Sequence, residues 1–310
     1  MPRDRLSSSA AGALLGCALG DAIGELAFSH AAEEELANAI SAQPKLIYTD
    51  DTAMTIALAE SLIEEGGIDQ QRLGQRLADH FAEEPWRGYG PGPPKIFRKA
   101  RNSNLTFTQV ARDLYNGEGS LGNGAAMRVG PVGVAYRDRP ELWDAAHASA
   151  EVTHAHPIGR DGAAVQALAV GVATAHALHG RRLDPLVTAE SLASAAETNL
   201  IREKMEAVAR LLAEGAPPPK VADTVGRSIA VHESMPFAIY AFLKTPQSFQ
   251  ESLHCAILNG GDVDTLGAMT GAISGAYLGI DALPIGCRIK VENGAYLETL
   301  GKRLAEAFPA

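Results

Sequence analysis

Cysteine is scarce: Cys17, Cys255 and Cys287 are the three in 310 residues, odd in number, far apart and without a CxxC pair. This excludes a disulfide framework and fits a reduced, intracellular compartment, expected to be the cytoplasm. Positive charge is also short. Lys and Arg number 27 against 37 Asp and Glu, a formal net charge of −10, so the basic face that nucleic acid requires is missing. An acidic chain can still bind a phosphate-bearing ligand where metal ions supply the positive charge. Alternating apolar and polar runs joined by hairpin turns are absent as well. The β-branched stretch 129–136 is broken by Gly130, Pro131 and Gly133. Familiar catalytic signatures are lacking too: there is no GxSxG elbow, no P-loop ending in Gly-Lys-Ser/Thr, and no GxGxxG after a strand.

Long apolar runs fall short of a membrane span. Arg3 and Arg5 precede an apolar stretch at 10–19 and so imitate a secretion signal, but Asp21 interrupts the run before the ~20 residues a bilayer needs. Cleavage there would also cut a segment in which Gly12, Gly16, Gly20 and Gly24 recur every fourth residue, on one face of a helix. The same spacing returns at Gly267, Gly271, Gly275 and Gly279. Two tightly packed, buried helices of a protein core account for both stripes, and no membrane partner is expected.

What is present is helical periodicity. Ile56, Ala59 and Ile63 recur at helical spacing, as do Val165, Leu168, Ala169 and Val172. Residues 190–214 are good helix formers throughout. Residues 87–94 are too rich in Gly and Pro to be regular, 117–124 offers backbone N–H groups at close range, and 216–219 reads as a plain connector. No domain boundary is visible. The expectation is an all-α chain, a single compact orthogonal multi-helix domain over 1–310, with function on its loops.

Two acidic motifs stand out, Thr49-Asp50-Asp51-Thr52 and Gly260-Gly261-Asp262-Val263-Asp264-Thr265, each opening into an Ala-rich helical run. Asp and Thr in such places also serve as helix N-caps, but one cap needs one residue. Clustered carboxylates and hydroxyls suit Mg²⁺, Mn²⁺ or Ca²⁺, and the two clusters could meet in one two-metal cleft. His154 and His156 stand two apart, so they diverge on a helix, and a polar histidine at a pocket rim is the better reading.

These motifs converge. Tyr48-Thr49-Asp50-Asp51-Thr52-Ala53, Arg87-Gly88-Tyr89-Gly90, Gly119-Ser120-Leu121-Gly122-Asn123-Gly124 continuing through Ala126-Met127-Arg128-Val129, Val152-Thr153-His154-Ala155 and Gly260-Gly261-Asp262-Val263-Asp264-Thr265 resemble the ADP-ribosylglycohydrolases in order and context. With Gly88-Tyr89-Gly90 and Glu233-Ser234-Met235-Pro236, the chain is most similar to the branch that removes ADP-ribose from serine and degrades poly(ADP-ribose) and O-acetyl-ADP-ribose. The arginine-directed branch is the alternative among enzymes, and a catalytically weak ADP-ribose-binding protein is the alternative outside them.

The resemblance implies two Mg²⁺ ions, with Mn²⁺ as substitute, held by Thr49, Asp50, Asp51, Asp262, Asp264 and Thr265. It implies that Gly119, Ser120, Gly122 and Asn123 lie along the diphosphate and ribose. His154 would stand beside the diphosphate or distal ribose, and Ile229 near the adenosine. A monomer is expected, and the resemblance implies action on ADP-ribosylated proteins or ADP-ribose derivatives, by hydrolysis at the anomeric carbon with a carboxylate such as Asp262 exchanging the proton. Two departures follow. Leu121 stands where the branch carries an aromatic residue, leaving Tyr115 to stack on adenine. Phe28 stands where a glutamate usually follows Gly20-Asp21-Ala22-Ile23-Gly24, so Glu25, one turn earlier, is the nearest spare acid, ahead of Glu33, Glu34 and Glu35.

Overall fold

The computed structural model describes residues 2–309, with side chains from residue 4, so the side chain of Arg3 in the signal-like N-terminus lies outside the described residues. Among these residues there are seventeen α-helices, two short 3₁₀ turns and no β-strand. Extended pairing is confined to two isolated bridges, Leu46 with Val291 and Gly122 with Ala230. The central helices are α1 (Pro2–Ala27), α2 (Asp50–Glu65), α3 (Pro157–His179), α4 (Val231–Lys244), α5 (Val263–Leu278) and α6 (Gly294–Ala307).

The two glycine stripes face each other. A Cβ added at Gly12, Gly16 or Gly20 would lie 2.2, 2.2 and 1.9 Å from the carbonyl oxygens of Gly275, Gly271 and Gly267. No side chain fits such gaps, so α1 and α5 run antiparallel with backbone against backbone from Gly12 to Gly24, roughly three turns. Their register has a functional consequence: at Gly24 a Cβ would lie 2.6 Å from Asp264 Cα, which sets the C-terminal end of α1 on the second acidic motif.

One expectation about α1 needs correction. Asp4–Ala27 is long and apolar enough to cross a bilayer, with a mean hydropathy of 1.4, because one aspartate does not lower the average of a helix so rich in Ala and Leu. Yet 89% of that apolar window is buried inside the protein, against α5, α6 and their neighbours.

Local propensity misleads in three other places. The helix-forming stretch 190–214 is two helices, Pro185–Ala195 and Asn199–Ala213. The break is imposed from outside: buried Asp161 on α3 accepts from Glu197 N at 3.0 Å, Thr198 N at 2.7 Å and Thr198 Oγ1 at 2.5 Å. The Gly/Pro loop near 87–94 becomes helical from Gly92, since Pro93 and Pro94 fall in the first turn of Gly92–Arg101, where a missing N–H costs no hydrogen bond. By the same logic the connector at 216–219 turns helical at Pro218.

Candidate active site

The joined ends of α1 and α5 receive the start of α2, and the residue that ties them is Asp21. Fully buried, it accepts from the backbone N of Thr49 and of Thr52, both at 3.0 Å, and from their hydroxyls at 2.8 and 2.5 Å. Asp21 therefore caps α2 from a different helix. Thr49, the N-cap residue, makes no side-chain cap bond of its own, and neither does Asp262 at the start of α5. Simple capping thus fails to explain either motif; Asp51 Oδ2 accepts from Thr49 Oγ1 at 3.3 Å and Asp264 Oδ1 from Thr265 N at 2.8 Å, which leaves Asp50 and the second oxygen of each for other work.

Their electrostatics are unfavourable as they stand. Burial, then the charges of Asp21 and Asp264, push Asp50 up to about 8. Asp51 is raised well above the usual carboxylate range by burial and by Asp21, Asp264, Asp50 and Asp262. Asp264 rises to about 7 through burial and Asp262, with smaller contributions from Asp21 and Glu25. Asp51 Oδ1 is buried without any hydrogen-bond partner. Asp21 near the end of α1 binds the first motif and Gly24, three residues on, packs on Asp264 of the second, so the fold brings the acids together, and the orphaned carboxylate oxygen of Asp51 fits a hard divalent cation. The described His, Cys, Asp and Glu side chains do not by themselves close into a three-ligand metal cluster.

Over this acidic floor runs the glycine-rich loop. Tyr115 and Asn116 adopt left-handed backbone, with φ of 54° and 60°, and Gly117 and Gly119 follow at 90° and 76°. The loop is pressed on the turn before α3. A Cβ at Gly119 would meet His156 N at 2.6 Å, and one at Gly159 would meet Ser120 O at 2.5 Å. Gly122 N donates to Ser120 Oγ at 3.2 Å, so the serine hydroxyl helps to shape the loop. Asn123 links loop and acids: its Nδ2 donates to Asp262 Oδ2 at 2.6 Å and to Ser234 Oγ at 3.2 Å, while its N donates to Ile229 O at 2.9 Å. Ile229 is 70% exposed and Tyr115 54%, both open to a ligand, with Leu121 partly exposed.

His154 is buried rather than on a rim. Its Nδ1 lies 2.8 Å from Thr153 Oγ1, and its ring backs Gly124, where a Cβ would meet Cε1 at 2.9 Å. Burial, helped by nearby Arg128, lowers its pKa to about 3, so it is neutral at physiological pH. Arg128, fully buried, donates to Gly124 O at 2.9 Å and Ser149 O at 3.0 Å, pinning the far end of the loop. His156 instead caps α3, accepting from Ile158 N at 3.1 Å.

Of the acids near the absent glutamate, Glu25 is exposed on a helix that continues regularly to Ala27 and carries its charge close to Asp264. No break at the end of α1 is needed for that approach. Glu33 is engaged elsewhere, 3.1 Å from His254 Nδ1, and with Glu34 and Glu35 opens the helix Glu33–Ala42 rather than lying on a connection.

Two positioning residues escaped the sequence reading. Asp21 is one; the signal was a lone carboxylate within a small, apolar helical face. Arg87 is the other. It forks onto Glu84 with two 2.9 Å bonds, reaches Glu292 at 2.6 Å and Tyr48 O at 2.8 Å, and lies 4.3 Å over the Tyr48 ring, fixing the residue that precedes Thr49.

Comparison with known proteins follows the same lines. The family model described as ADP-ribosylglycohydrolase matches residues 2–310. The chain is 33% identical to ADP-ribosylhydrolase ARH3 of Mus musculus over 96% of its own length and 91% of that protein. The corresponding protein of Homo sapiens is also 33% identical, covering 96% and 93%. ADP-ribosyl-[dinitrogen reductase] glycohydrolase of Rhodospirillum rubrum is more distant, at 28% identity over 91% of this chain and 90% of that protein. A solved structure titled ADP-ribosylglycohydrolase-related protein complex superposes with a TM-score of 0.74 over 99% of this chain and 100% of that one, at 22% identity, which establishes the shared fold.

Proposed function

Because the chain belongs to the ADP-ribosylglycohydrolase family and is therefore a hydrolase of ADP-ribosyl linkages, we propose that it is a divalent-metal-dependent enzyme acting on O-glycosidic ADP-ribose, with ADP-ribosyl-serine, poly(ADP-ribose) and O-acetyl-ADP-ribose as substrates. The observation that carries this reading is the meeting of both acidic motifs beneath the glycine-rich loop, where Asn123 joins loop to Asp262. Thr49, Asp50, Asp51, Asp262, Asp264 and Thr265 would hold two Mg²⁺ ions, or Mn²⁺ in their place. When bound, the cations supply the positive charge that the acids lack and orient ribose hydroxyls. The protein is proposed to work as a monomer in the cytoplasm, on ADP-ribosylated proteins or free ADP-ribose derivatives.

The chain's own residues divide the remaining work. Within the Gly119–Asn123 loop the N–H groups of Gly119, Gly122 and Asn123 donate to Leu114 O, Ser120 Oγ and Ile229 O, so those of Ser120 and Leu121 are the backbone donors left to face a diphosphate. Tyr115 offers a ring to adenine, beside Leu121 and Ile229. Neutral His154 holds the loop at its ribose end. Asp262, oriented by Asn123, and Glu25, exposed beside Asp264, are the carboxylates available to exchange a proton with water or with the leaving oxygen as the anomeric bond breaks.

A second reading, an ADP-ribose-binding protein of weak activity, is favoured by one observation: Phe28, 54% exposed, occupies the place of the family's glutamate. Glu25→Gln separates the two. Turnover falling ~10²-fold or more with ADP-ribose affinity kept supports catalysis by Glu25. Unchanged turnover removes Glu25 from the mechanism, and no turnover in the unaltered protein supports the binding reading.

A further inference from the structure

We propose a second ligand site, for a small phosphate-bearing anion, at the opposite end of the α1–α5 pair. There the first turns of α1 and the last of α5 border an open surface recess of about 460 Å³ lined by Arg5, His176, Arg181, Arg182, Gln247 and Tyr277, among others. Ser8 and Asp21 are thirteen residues apart on α1, so this cavity lies roughly 20 Å from the acidic site. No carboxylate lines it, in a protein whose net charge is −10.

The three arginines differ in what explains them. Arg5 donates to Leu178 O at 3.3 Å and so closes the C-terminal end of α3, a sufficient structural reason for its presence. Arg181 and Arg182 are exposed and have no such duty: neither side chain donates to a carboxylate or carbonyl among the described residues. Basic side chains near helix C-termini do complement the helix dipole, but Arg5 already serves α3. His176 Nδ1, buried at the same wall, lacks a hydrogen-bond partner. Tyr277 OH accepts from Leu183 N at 3.1 Å and from Gln247 Nε2 at 3.3 Å, which fixes a polar edge beside an aromatic ring. The neighbouring cavity shares His176 and Arg181 and adds Arg139 and His179, but it also holds Asp138, so the recess free of carboxylates is the one at the α1–α5 end.

Arginines lining one concave surface, two of them with spare donors, match phosphate oxygens, and the volume admits a diphosphate. A long polyanion is disfavoured by the repulsion of the remaining acidic surface. The ligand class is therefore a small di- or triphosphate compound rather than nucleic acid. The inference stands on this cavity alone and does not rest on the proposed hydrolysis.

The test is calorimetric titration of the full-length protein with inorganic pyrophosphate, comparing the unaltered chain with the Arg181→Ser, Arg182→Ser double variant. Both positions are exposed, and the variant is expected to fold and to release ADP-ribose at the unaltered rate. The expected result is saturable binding that weakens at least tenfold, or loses one saturable site, in the double variant. Equal binding by both proteins would place any pyrophosphate in the acidic cleft and overturn the proposal. So would the absence of saturation by the unaltered protein up to about 10 mM.

Discussion

At the scale of single residues, the decisive ones are polar groups placed where their neighbours come from elsewhere in the chain. Asp161 isolates the cost of such a group away from the acids. Asp161→Ala removes three acceptor contacts at the start of Asn199–Ala213 and is expected to lower stability by about 2 kcal/mol in urea unfolding, as loss of a buried cap does. His154 gives a pH signature. Its folded pKa of about 3 lies below the unfolded value near 6.5, so below pH 6.5 the unfolded chain takes up a proton that the folded one refuses. The protein therefore loses stability as pH falls from about 6.5 toward 3, by about 2 kcal/mol at pH 5, and is unaffected by this group above about pH 6.5. His154→Gln should flatten that slope in unfolding midpoints measured at pH 7 and pH 5. Tyr115 bears on recognition: Tyr115→Ala is expected to weaken ADP-ribose about tenfold, since a base stack contributes ~1–3 kcal/mol, while Tyr115→Phe keeps the affinity. Unchanged affinity in Tyr115→Ala would mean that the ring, 54% exposed, serves only its loop.

At the scale of elements, the glycine-packed pair α1 and α5 carries the site. Gly16→Ala would place its Cβ 2.2 Å from Gly271 O, backbone that cannot step aside, so the ~1 kcal/mol gained in helix propensity is outweighed. A net loss of about 2 kcal/mol or more is expected in thermal or urea unfolding, together with lower activity as the acidic ends separate. Gly286→Ala is the control: nothing lies within 4 Å, and it should be neutral or slightly stabilising. Both stripes were readable as helix faces, because every fourth residue falls on one side of a helix. Their pairing with each other was not, since periodicity names the face but not what it meets. For the same reason 190–214 read as good helix formers throughout with no sign of the break at Glu197 and Thr198, because the interrupting Asp161 lies 36 and 37 residues away from them. The prolines of Gly92–Arg101 and Pro218–Val225 were taken for breakers because composition does not reveal that they occupy a first turn.

At the scale of the whole molecule, the all-α class was legible in what the chain lacks, and the family in the order of its motifs. The capping role of Asp21 and the anchoring of Tyr48 by Arg87 were not, because each depends on residues brought together only by folding. That folding gathers acids whose repulsion is unrelieved, with Asp50 pushed up to about 8 and Asp264 to about 7. A chain built this way should gain stability from its cation: at a Mg²⁺ concentration a hundred times its Kd the gain is about 2.7 kcal/mol, seen as a rise in melting temperature that Asp264→Ala abolishes. The most direct measurement of the central claim is release of free ADP-ribose from a serine-linked ADP-ribosyl peptide, in Mg²⁺, in chelator, and after Mg²⁺ is restored. Turnover that disappears in chelator and returns with Mg²⁺ is the expected result. Turnover that persists undiminished in chelator, or ADP-ribose bound without any release in Mg²⁺, would contradict it.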